Sequence, residues 1–112
     1  MPEYKVILTW EAIYDVTDIA DYVEAEFGEE RADRFQVDLQ EELSKLEYMG
    51  SIFQKTQILY RGYMIHKKPF SPSIIFYVVK EDAREVHVLR ILREEQDWEH
   101  MLSVNSIYTY PE

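Results

Sequence analysis

The sequence predicts a single α+β domain: an αα-hairpin packed on a mostly antiparallel four-stranded sheet, with a short C-terminal helix. Three observations carry that prediction. Two stretches in the first half repeat apolar residues at steps of three and four, the period of a helix with one buried face. Three runs rich in β-branched and aromatic residues crowd into residues 60–98. The chain has 112 residues, 46% of them hydrophobic, which suffices for one modest core and no second.

Residues 3–9 alternate well enough for a first strand, with Tyr4, Val6 and Leu8 on one side. Thr9 is placed to cap the helix that follows, and Glu11 falls in its first turn, where a negative charge suits the helix dipole. Ile13, Val16, Ala20, Val23 and Phe27 form the expected buried stripe, leaving Asp15, Asp18, Asp21 and Glu24 to face water. Gly28 is predicted just past the helix end. A second helix, from about residue 29 to 48, presents Ala32, Phe35, Leu39, Leu43 and Leu46. So short a connection makes the two helices antiparallel neighbours.

Residues 51–57 read as a loop entering a meander of three strands at 63–68, 73–80 and 85–92. The middle run, Ile74-Ile75-Phe76-Tyr77-Val78-Val79, is apolar at odd and even positions, so it is predicted to be a central strand buried on both faces. Pro69 and Pro72 cannot donate ladder hydrogen bonds and mark the connection before it. After Leu92 a short helix packs Trp98 and Leu102, and residues 103–112 form a tail that either frays or covers a sheet edge. The predicted order is β-α-α-β-β-β, with the hairpin on one sheet face and the other partly open.

The formal charge of −10 is segregated. Residues 1–50 hold fourteen Asp and Glu against four Lys and Arg, whereas residues 51–112 hold eight of each. An acidic surface opposes nucleic-acid binding, and segregation weakens that objection for the second half. The chain has no cysteine, which excludes a disulfide framework and thiolate chemistry and fits a reducing cytoplasm. No long apolar window points to a membrane span or an export signal. His66 and His87 lack zinc-ligand spacing, and there is no glycine-rich phosphate loop, so neither metal nor cofactor is expected.

Ala12, Asp15, Ile19 and Tyr22, then Ala32, Phe35 and Leu39, then "IFYVV" and "EVHVLRILREEQDW", together resemble the RelE/ParE family of toxins over about residues 4–102. The resemblance implies the toxin half of a type II toxin–antitoxin module, a plasmid-stabilisation type of protein, neutralised as a hetero-oligomer by a cognate antitoxin. It implies one of two targets. ParE-like members inhibit DNA gyrase without cutting nucleic acid; RelE-like members cleave messenger RNA in the ribosomal A site without metal. The long paired helices and the lack of a full acid–base set favour the ParE-like reading. A third reading is a non-toxic module that keeps only antitoxin binding.

If the chain is a nuclease, the resemblance nominates Arg61, Lys68, Arg90 and Arg93 as catalytic, with His66, Lys67, His100 or a tail tyrosine in support. Such chemistry needs a base for the 2′-hydroxyl, cations for the phosphorane and an acid for the leaving oxygen. Strand parity sends the adjacent Lys67 and Lys68 to opposite faces and sets Arg90 on one side with Val86, Val88 and Leu92. There Arg90 either faces a phosphate or pairs its head with a carboxylate. Trp98 can stack on a base or anchor the terminal helix, but it cannot relay a phenolic proton.

Overall fold

The computed structural model describes residues 3–105 and 107–111. Its elements are β1 (Lys5–Leu8), α1 (Trp10–Phe27), α2 (Glu29–Met49), a 3₁₀ turn (Gly50–Ile52), β2 (Lys55–Tyr60), β3 (Tyr63–Phe70), β4 (Ser73–Lys80), β5 (Glu85–Arg93) and α3 (Trp98–Val104). The sheet has the order β1-β5-β4-β3-β2, antiparallel except where β1 runs parallel to β5.

One strand more is present than the four predicted, because β2 occupies part of the predicted loop. Its pairing with β3 shifts register between Lys55 and Leu59, and the Thr56 hydroxyl donates to the Ile65 carbonyl while accepting from the Ile58 N–H. That irregularity erases the alternation by which a strand is recognised. It also roughens an edge that would otherwise invite another strand.

The caps form as the residue types dictate. The Thr9 side chain accepts from the Ala12 N–H at 3.0 Å and donates to the Leu89 carbonyl at 2.8 Å, so one buried hydroxyl starts α1 and fastens it to the sheet. Gly28 closes α1 at φ 99°, a value that a side chain would strain.

The two sheet faces have different covers. Toward the hairpin, Ala12, Ile19 and Val23 of α1 and Phe35, Leu39 and Leu46 of α2 meet Ile75, Tyr77, Val86 and Val88. The α2 stripe is as predicted. The α1 stripe is partly rotated: Ala20 and Val23 are buried as predicted, but Ala12, Asp15 and Ile19 are buried as well, and Phe27 is 58% exposed. On the far face Phe76, Val78, Leu89 and Leu92 pack beneath Leu102 of α3 and Tyr108, so this face is less open than the sequence predicts. The far end of the chain is tied down by Thr109, which accepts from the Trp10 N–H and donates to Glu11.

Tyr108 is buried edge-on against Tyr60, centroids 5.0 Å apart. Its hydroxyl is without a hydrogen bond among the described residues, Asn105 lying nearby but outside hydrogen-bonding geometry. A buried orphan donor is costly, so Tyr108→Phe should leave stability unchanged or raise it by up to about 1 kcal/mol. A urea midpoint clearly below the wild type's would show that the hydroxyl has a partner.

Candidate functional site

The four nominated cations do not converge. Arg61 lies in the two-residue turn between Tyr60 and Tyr63, where it and Gly62 both have positive φ, 51° and 88°. This is the signature of the tight hairpin turn whose twist matches its strands. Its guanidinium lies over the Tyr60 ring. Arg93 lies at the other end of the sheet, paired across to Ser73, itself the partner of Phe70. The eight residues of β3 put roughly 23 Å between the two ends.

Lys68 and Lys67 separate as parity requires. Lys68 points under α2, 6% exposed, with its ammonium on the Glu42 carboxylate and over the Phe53 ring. Lys67 emerges on the far face, 5.0 Å above the Trp98 ring. Trp98 in turn packs on Phe76, anchoring α3. Glu42 also receives Lys45 at 2.6 Å, and the hydrogen bonds from Lys45 and Lys68 hold its carboxyl below the usual range.

Arg90 takes the carboxylate alternative, and α1 supplies the partner. Its Nε and Nη2 donate to the two Asp15 oxygens at 2.7 and 2.9 Å. Asp15 also accepts the Ile91 N–H at 2.9 Å. The reason is topological: β1 stops at Leu8, opposite Val88, so the next stretch of β5 lacks a neighbour strand and a side chain must satisfy its backbone. Asp15 is therefore buried rather than facing water. Burial holds its carboxyl above the ordinary value, against the opposing pull of Arg90. Arg90 is raised by its hydrogen bonds to Asp15.

Strand parity along β5 is also corrected. Phe76 pairs with Arg90 and Tyr77 with Val88, leaving Leu89 as an extra residue. Beyond that bulge the alternation reverses, so Val86 and Val88 face the hairpin whereas Leu92 belongs to the far face.

Asp15, Asp18, Tyr22, Arg90, Arg93 and Gln96 border a polar hollow of about 420 Å³. Arg93 stacks 4.5 Å from the Tyr22 ring and pairs with Glu95 at 2.9 Å. Two carboxylates and two guanidiniums balance there, so the hollow offers an anion no net attraction. His66 is buried with Nδ1 on the Phe53 carbonyl and its ring stacked on Tyr77. His87 lies between Glu85 and Tyr110, at 2.9 and 2.7 Å, and burial pushes the Tyr110 hydroxyl up to about 12. His100 is exposed on α3. The residues that the sequence reading missed are Asp15 and Glu42. The three-and-four spacing of Ala12, Asp15 and Ile19 was the available signal for the first; for Glu42 there was none.

Comparison with known proteins follows the fold. The model of the family described as "ParE toxin of type II toxin-antitoxin system, parDE" matches residues 6–98. Among solved structures, a chain of the "Chromosomal ParDE TA system from P. aeruginosa" superposes with a TM-score of 0.69 at 22% identity. The match covers 85% of this chain and 100% of that one. No curated protein matches the chain.

Proposed function

This chain belongs to the family of ParE toxins of type II toxin–antitoxin systems, and from that premise we propose that it arrests growth by inhibiting DNA gyrase, without cutting RNA, until a cognate antitoxin neutralises it. The observation that carries the non-nucleolytic part is the dispersal of the cations. A phosphoryl-transfer site must hold its charged groups within hydrogen-bond reach of one phosphate. Here Arg61 and Arg93 lie at opposite ends of the sheet, and Lys68 and Arg90 are held by Glu42 and Asp15. A cytoplasmic setting suits both the target and the cysteine-free sequence.

One observation favours a second reading, a ribosome-dependent messenger RNA endonuclease. Lys67 and Trp98 bring a cation and a stacking ring together on the far face. The net charge of −10 opposes approach to ribosomal RNA. Inducing the chain alone, and again with the product of the adjoining reading frame, tests the toxin reading. Growth should stop in the first case and resume in the second, the two proteins copurifying. Undiminished growth on induction alone, with copurification intact, would leave only a binding module.

The exposed carboxylates Asp18, Asp21 and Glu24 suit an antitoxin segment bearing Lys or Arg. Changing all three to lysine should slow association several-fold at low ionic strength and much less in high salt. An association rate unchanged at low salt would place the antitoxin elsewhere.

A further inference from the structure

We propose that the turn end of the helical hairpin, beside Gly28, borders a docking groove for an acidic peptide segment that inserts an apolar side chain between α2 and the β3–β4 turn. The groove, about 350 Å³, has Phe27, Arg31 and Arg34 on one wall and Phe70 to Pro72 on the other, with Phe35 within. The Phe35 and Phe70 rings lie 5.8 Å apart and give it an apolar floor.

Charge identifies the occupant. Residues 1–50 contain four cations, Lys5, Arg31, Arg34 and Lys45, and Lys45 is held by Glu42. Arg31 and Arg34 are one helical turn apart and exposed, and neither has an ion-pair partner within 4.0 Å among the described residues, although acidic side chains are abundant. The Arg31 guanidinium instead lies over Phe27, 5.4 Å from its centroid, and that ring is 58% exposed. Two planar forks over an apolar floor match a carboxylate beside an aliphatic or aromatic side chain.

A nucleic-acid strand fits less well. Asp38 also lines the groove, and Glu94 accepts from Ser71 at its lip. Successive phosphates would meet those carboxylates, whereas a peptide need present only one or two charges to the arginines. The occupant is a segment of the antitoxin proposed above, and to that extent the inference rests on that reading. The antitoxin would then carry both signs of charge, basic toward α1 and acidic toward this groove.

The test uses two short fluorescein-labelled peptides, one alternating leucine with glutamate and one alternating leucine with lysine. Anisotropy is read with the full chain at about 0.15 M salt, where long-range fields are screened within about 8 Å. The glutamate peptide should bind, and the Arg31→Glu/Arg34→Glu double variant should weaken it roughly tenfold or more, the loss of two charge-assisted contacts. Phe27→Ala should weaken it several-fold. All three positions are exposed, so thermal melts should match the wild type's. Preference for the lysine peptide, or glutamate-peptide binding that the double variant leaves unchanged, would overturn the proposal. Neither peptide derives from an antitoxin, so failure here leaves the copurification test intact, and failure of copurification leaves the groove standing.

Discussion

Asp15→Ala should cost about 3–5 kcal/mol of folding stability, the loss expected when one partner of a buried ion pair is removed. The Asp15 carboxylate, with 9% of its side chain exposed, accepts three hydrogen bonds, two from Arg90 and one from the Ile91 N–H. Alanine strands a guanidinium that cannot shed its charge and a backbone donor at the end of the β1 pairing. Arg90→Met should cost less. It leaves a carboxyl that burial already raises above its ordinary value, and such a group can take up a proton instead of remaining a buried anion. Urea midpoints of the two variants check this ordering. A loss under about 1 kcal/mol for Asp15→Ala would show the pair to be dispensable, and Arg90 would again be free for a phosphate.

Glu42→Ala is expected to cost about 3 kcal/mol, whereas Lys68→Met should stay within about 1 kcal/mol of the wild type. The asymmetry comes from burial. Lys68 has 7% of its side chain exposed, so without Glu42 its ammonium is left with the Phe53 ring at 4.7 Å. Removing Lys68 instead leaves Glu42 paired with Lys45 at 2.6 Å and partly in water. The same carboxylate makes stability depend on pH. Its folded-state value lies below the ordinary 4.5, so the unfolded chain binds more protons in that range. The contribution is present above pH about 4.5 and lost as pH falls through the folded value. Glu42→Gln should flatten that part of the stability–pH curve. Lys68→Met should also keep its capacity to arrest growth. Loss of arrest in a variant of normal stability would make Lys68 a functional residue.

The sequence's legibility followed the strength of each local signal. The α2 stripe was readable because Ala32, Phe35, Leu39, Leu43 and Leu46 are all apolar and all buried. Thr9 and Gly28 were readable because capping is local chemistry. β2 was not, since Thr56 bonds within its own strand and breaks the period of two. On α1 the buried face includes a carboxylate, so an apolar stripe points about one position away from the true one. Its partner, Arg90, lies seventy-five residues along the chain, a separation that no local pattern spans. Parity separated Lys67 from Lys68 correctly but failed past Leu89, because a bulge is set by the neighbouring strand as much as by the residue itself. The dispersal of the four cations thus emerged only in three dimensions.

Purified chain added in parallel to a gyrase supercoiling reaction and to ribosomes translating a defined messenger RNA tests the central claim most directly. The account predicts that supercoiling is inhibited while the messenger RNA remains full-length. Cuts in the ribosomal A site with supercoiling unaffected would contradict it.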